Sequence, residues 1–171
     1  MANHYFNHSK YDKAIPYYNK LIIKLPTNLP SDSNQKCGNG IIYYARGYSY
    51  FEISDYDNAL SDMLISNSLL TDCINNDNHK PEIFNYWLGY SLMFTAACYI
   101  QQKDIIKSID YLKMSLLYYK DNYLAYRYLG VAYYTNGELD QASEQFHRSL
   151  ELNSSKQNVE EIGKYSIKNT Q

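Results

Sequence analysis

Apolar positions along this chain recur at intervals of three and four, and nowhere is there a sustained two-residue alternation, so the pattern reads as helices and not strands. Short polar breaks at Ser54-Asp55, Lys103-Asp104 and Asn136-Gly137 divide it. Asn and Gly tolerate the left-handed conformation that ends a helix, and Asp caps the helix that follows. The pattern predicts antiparallel pairs near 41–53 with 56–70, 89–102 with 105–119, and 123–135 with 138–152. After each break the same run of side chains returns: Tyr56-Asp57-Asn58-Ala59…Met63…Ser66, Ile105-Ile106-Lys107-Ser108…Leu112…Ser115 and Leu139-Asp140-Gln141-Ala142…Phe146…Ser149. Tyr11-Asp12-Lys13-Ala14…Tyr18…Leu21…Pro26 opens the series. A repeated unit buries its apolar face against its neighbours, so the fold class is an all-α array of helical hairpins.

Two helices joined by a tight turn approach most closely at one level, where only a small residue lets the backbones meet. Gly47, Ala96 and Gly130 supply that slot on the first helix of each pair, and Ala59, Ser108 and Ala142 on the second. Tyr50, Tyr99 and Tyr133 lie one turn beyond the first-helix slot on the same face. The second-helix slot recurs at Ala14, Ala59, Ser108 and Ala142; the last interval is 34 residues and the earlier ones are 45 and 49.

The last unit reads Tyr126-x-x-Leu129-Gly130-x-x-Tyr133, then Ala142-x-x-x-Phe146, and resembles the tetratricopeptide (TPR) pattern, with Tyr126 in the Trp place and Ser154 in that of the closing Pro. The resemblance covers most of the chain and implies a right-handed solenoid. Its units divide the chain as a partial repeat 1–27, a linker 28–39, repeat 40–73, an insert 74–88, repeats 89–122 and 123–156, and a C-terminal capping helix 157–168. The first unit lacks most of its first helix. Pro26 to Gly40 and Asp72 to Lys80 read as loops, and a helix is expected from Pro81 to about Gln102.

Charge and composition narrow the function. Net charge is −2, acids and bases are mixed, and no basic stripe marks a nucleic-acid partner. The start of the chain lacks the apolar core of a signal peptide. Cys37, Cys73 and Cys98 are an odd number without a Cys-x-x-Cys pair, which favours a reducing compartment over a disulfide framework; a cytoplasmic protein is the expectation. The uncharged span Ile83 to Gln102 is read as a buried central helix and not as a membrane span, because Asn85, Gly89, Ser91, Thr95 and several Tyr interrupt it. Cys73 and His79 make a poor zinc site, and no nucleotide, nucleophile or metal motif is present. No catalytic residue, metal or cofactor is expected.

In the TPR resemblance the first helix of each hairpin lines a concave groove, at fixed offsets from its small slot. Those offsets select Ile41, Tyr44, Ala45, Tyr48 and Phe51, then Tyr90, Met93, Phe94, Ala97 and Ile100, then Leu124, Arg127, Tyr128, Val131 and Tyr134. The expected trough is aromatic, with Arg127 as its cation. The Lys, Arg and Asn clamp with which some relatives hold acidic chaperone tails is absent, since those places carry Tyr44, Tyr48, Tyr90 and Phe94. The expected role is a non-enzymatic adaptor that takes an apolar or aromatic peptide or helix in the trough. A peptide-gated regulatory module and a structural spacer from a longer repeat protein are the alternatives. Val159, Ile162 and Tyr165 share one face of the capping helix, which could shield the end of the array or fill the trough.

Overall fold

The computed structural model describes residues 1–25, 33–76 and 82–166. Its helices are α1 (Ala2–Asn7), α2 (Tyr11–Ile23), α3 (Ser33–Glu52), α4 (Tyr56–Asn76), α5 (Glu82–Gln101), α6 (Ile105–Tyr118), α7 (Tyr123–Thr135), α8 (Leu139–Leu152) and α9 (Lys156–Ser166). There is no strand among the described residues. Successive helices pack in chain order, and α3, α5 and α7 also touch one another in series. This is a solenoid of helical hairpins.

Four turns of one geometry set the hairpins. The amides of Lys10, Asp55, Asp104 and Glu138 each donate to the carbonyl five residues back, on Tyr5, Tyr50, Tyr99 and Tyr133, at 2.9 Å. The intervening residue is left-handed each time, at Ser9 (φ 55°), Ser54 (64°), Lys103 (63°) and Gly137 (84°). The bond satisfies a carbonyl that the helix end leaves without a partner. The first turn obeys the same rule, so α1 is a shortened first helix, with Ala2 buried at its small slot beside Ala14.

The small slots are closed contacts. A Cβ on Gly47 would lie 3.0 Å from that of Asp62, and one on Gly130 would lie 2.5 Å from the Phe146 ring. Ala59 and Ala142 are buried in the facing slots, and Ala96 and Ser108 are buried in those of the middle hairpin. A second rung repeats one level away: Ser66, Ser115 and Ser149 donate their hydroxyls to the carbonyls of Gly40, Gly89 and Tyr123 at 2.9, 2.7 and 2.8 Å. These serines stand in equivalent places in the three full units. Arg46 adds a cross-brace over three helices, donating from Nε and Nη2 to Asp62 at 2.6 Å and from Nη1 to Asn19 at 2.7 Å.

Helix α5 lies at the centre, with every residue from Ser91 to Cys98 buried. Its polar groups find partners inside: Thr95 donates to the Ser91 carbonyl and accepts from Asn67, both at 2.9 Å. That bonding explains how an uncharged helix with several polar residues is buried by protein on all sides. No helix among the described residues is long and apolar enough to cross a membrane.

Two loop expectations change. Helix α3 starts at Ser33, inside the expected linker, and α4 runs to Asn76, past the expected loop start at Asp72, while α5 starts at Glu82, close to the helix start expected at Pro81. The Gly-rich start of α3 reads as a loop in sequence, yet Gly40 is needed for close packing: a Cβ there would stand 2.8 Å from Leu70. The cysteine expectation changes as well. Cys37 and Cys73 are joined in a disulfide with Cα atoms 5.4 Å apart, near the open end of the α3–α4 hairpin. The antiparallel register that sets Gly40 against Leu70 carries position 37 to the level of position 73. Cys98 stays free and buried, and burial pushes its thiol up to about 12. His79 and Pro81 lie outside the described residues.

Candidate ligand-binding face

Helices α3, α5 and α7, which touch one another in series, carry the fifteen expected groove positions at different depths. Met93 and Ala97 are fully covered, with Met93 at 0% exposure, so they form floor and offer no surface to a ligand. Tyr44 and Phe94 are nearly buried at 7% and 6%. Half-exposed above them lie Ile41, Ala45, Tyr48, Phe51, Tyr90, Ile100, Leu124, Arg127, Tyr128, Val131 and Tyr134.

The rings interlock around Phe94. Its centroid lies 4.8 Å from Tyr48 and 5.2 Å from Phe51, both edge-on, and 6.2 Å from Tyr44. Tyr44 also meets Trp87 at 5.3 Å. Such edge-to-face pairs add to the stability that burial supplies and hold each ring in one orientation. Further along, Tyr90 packs on Tyr86 at 4.7 Å and on Tyr119 at 5.8 Å.

Each end of the face is closed by the chain itself. Phe6 of α1 and Tyr11 of α2 sit against Tyr48 at 5.4 and 5.5 Å. At the other end α9 touches both α7 and α8, the place the first helix of a further unit would take. Arg127 donates to Asn158 of α9 at 3.3 Å, and Tyr134 meets Tyr165 edge-on at 5.4 Å. Ile162 is buried against Ala142 and Phe146, whereas Val159 is 48% exposed. Helix α9 therefore covers the end of the array and the last groove residues, and leaves Tyr48, Phe51 and Tyr90 open to solvent in part.

One charged residue on this face was missed by the offsets. Glu52 follows Tyr48 by one helical turn, and its carboxylate lies beside the Tyr48 hydroxyl and near Tyr44 and Tyr128. The face thus carries an acid as well as Arg127. Burial first, then the adjoining Glu52 carboxylate, pushes the Tyr48 phenol well above its ordinary value. Burial likewise raises Tyr44, Tyr90 and Tyr128. These hydroxyls stay protonated at neutral pH, with Tyr48 engaged by Glu52, Tyr90 by Tyr86 and Tyr128 by Arg127. The missed signal was a helix end: Glu52 is the last residue of α3, one position beyond the set the repeat pattern marks.

Among the described residues no group of three or more His, Cys, Asp or Glu is placed to hold a metal ion. His147 is exposed on α8, 3.3 Å from Glu151.

Residues 123–156 match the tetratricopeptide repeat family model. No curated protein sequence matches the chain. Among solved structures, MamA superposes with a TM-score of 0.68 at 16% identity, over 99% of this chain and 84% of that one. The C-terminal TPR-containing domain of a Plasmodium falciparum FK506-binding protein gives 0.64 at 20% identity, over 81% and 93%. The first TPR of Spaghetti, solved with the HSP90 peptide SRMEEVD, gives 0.59 at 18%, over 79% and 98%. At these identities the likeness is one of fold, and it joins the match at 123–156 and the turns and small slots repeated along the chain. This chain is an all-α solenoid with the fold of tetratricopeptide-repeat structures, and its residues 123–156 match that repeat.

Proposed function

We propose that this protein is a non-enzymatic interaction scaffold whose concave face takes an apolar or aromatic peptide or helix. The observation that carries the reading is the half-exposed aromatic wall of Tyr48, Phe51, Tyr90 and Tyr128, set on the rigid floor of Tyr44, Met93 and Phe94. Aromatic groups held in one orientation bury a large area at low entropic cost. Spaghetti holds an acidic HSP90 peptide in a comparable fold. Here aromatic rings and Glu52 stand on the face, and a peptide of that charge would meet repulsion at Glu52.

The test begins with peptides selected from a displayed library of amphipathic sequences, and measures their affinity by calorimetry. Tyr128→Ala and Tyr90→Ala should each remove about 1–3 kcal/mol of affinity if these rings are anchors. Binding should change little with added salt, since burial and not charge carries it. Phe94→Ala is a poorer probe, because a ring this buried supports the fold itself. Peptides that bind both Tyr variants as tightly as the native chain would refute the concave face as the site.

A further inference from the structure

The two ends of the array present apolar hollows edged by opposite charge, and we propose that copies of this chain associate head to tail, the α1–α2 face of one seated on the α8–α9 face of the next. This contact is separate from the concave face and does not depend on it.

Each end has a hollow. Met1, Ala2, Asn3, Tyr17, Lys20 and Leu21 line a cavity of about 310 Å³ between α1 and α2. Leu139, Ala142, Phe146, Leu150, Ile162 and Tyr165 line most of another, of about 380 Å³, between α8 and α9. Leu21 is 43% exposed at the first and Leu139 48% exposed at the second. Inside the array the equivalent faces are covered by the neighbouring hairpin, because a helix packs on both members of the pair before it. Helix α9 takes that place on α7 and α8, and among the described residues no helix takes the place of its partner.

The charges indicate a second copy as the occupant. On one face of α2, Lys13, Tyr17, Lys20 and Lys24 follow at steps of four, three and four. On α8, Asp140, Glu144, His147 and Glu151 follow at the same steps. Each set forms one stripe along its helix. Residues 1–25 carry four lysines against one aspartate, whereas 138–166 carry six acids against three bases. Lys13, Lys20, Lys24, Asp140 and Glu144 make no ion pair among the described residues; Glu151 is held by Arg148 and His147. A symmetric pairing of either end with itself would set like charges together, so the complement of each end is the other end. Such a contact is heterologous and extends instead of closing.

Sedimentation velocity on the 171-residue chain tests the proposal. At low salt the weight-average mass should climb with concentration from 20.0 kDa towards twice that value and beyond, and high salt should return it to the monomer. Leu21→Asp blocks one face and Leu139→Arg the other, both at exposed positions where the helical circular dichroism should be unchanged. Each variant alone should stay monomeric, and mixing the two should restore association, since each supplies the face the other lacks. A mass independent of concentration at low salt would overturn the proposal. So would association that survives both substitutions, or variants that fail to associate on mixing.

Discussion

Replacing Gly130 by Ala sets two effects of known size against each other. Inside an exposed helix the change would stabilise by about 1 kcal/mol, because Gly gives up more backbone freedom on folding. At this position the new Cβ would stand 2.5 Å from two carbons of the Phe146 ring. Carbon contacts settle at roughly 3.5–4 Å, so the ring or the helix must withdraw by about 1 Å. Phe146 has little room to do so: it is 8% exposed and its other side stacks on Tyr165, with centroids 5.6 Å apart. Overpacking of this kind costs about 1–3 kcal/mol. The clash should win, giving a net loss of up to about 2 kcal/mol and a melting point lower by up to roughly 8 °C. Gly38→Ala is the control, being the same substitution within α3 with nothing inside 4 Å of the new Cβ. It should stabilise by about 0.5–1 kcal/mol. Urea denaturation followed by circular dichroism measures both. The double variant Gly130→Ala, Phe146→Leu should recover part of the loss, a coupling that a double-mutant cycle isolates. If Gly130→Ala matched or exceeded the native stability while Gly38→Ala behaved as expected, the closed contact between α7 and α8 would be refuted.

Other outcomes follow from the same geometry. Reducing the Cys37–Cys73 bond, which closes a loop of 36 residues, should cost about 3–4 kcal/mol by chain entropy, read as a lower urea midpoint with reductant and no such change in Cys73→Ser. Asp62→Ala strands the half-covered Arg46 guanidinium and should cost roughly 3 kcal/mol; Asp57→Ala, whose carboxylate only meets exposed Gln102, should cost far less. Tyr44, Tyr48 and Tyr90 have phenols raised in the folded state, so their contribution is fully present below the unfolded value near 10 and is lost as pH rises beyond it. Absorbance titration should therefore show these tyrosines ionising only as the fold melts in alkali; full ionisation of all 21 tyrosines near pH 10 in the folded chain would contradict their burial.

The sequence by itself determined the hairpins, their turns and their small slots, because these depend on local spacing. Asn136-Gly137 stops a helix wherever it occurs, and Gly47 with Ala59, or Gly130 with Ala142, marks the one level at which two backbones meet. The serines Ser66, Ser115 and Ser149 were visible as a recurring letter; their bonds to carbonyls of the preceding helix were not, since these need the partner helix in place. The wider side of the same hairpin was misread in sequence. Gly38 and Gly40 look like a loop until Leu70 lies against them, and Cys37 and Cys73 look unrelated until the long α3–α4 pair brings them level. The groove offsets select positions on the first helix of each hairpin, yet depth is a property of neighbours. Only α1 and α2 decide that Tyr48 is half covered, only the hairpins on either side of α5 that Met93 is sealed, and only α9 that Arg127 is engaged by Asn158. Periodicity assigns a residue to a face; how much of that face remains open is fixed by whatever the rest of the chain packs upon it.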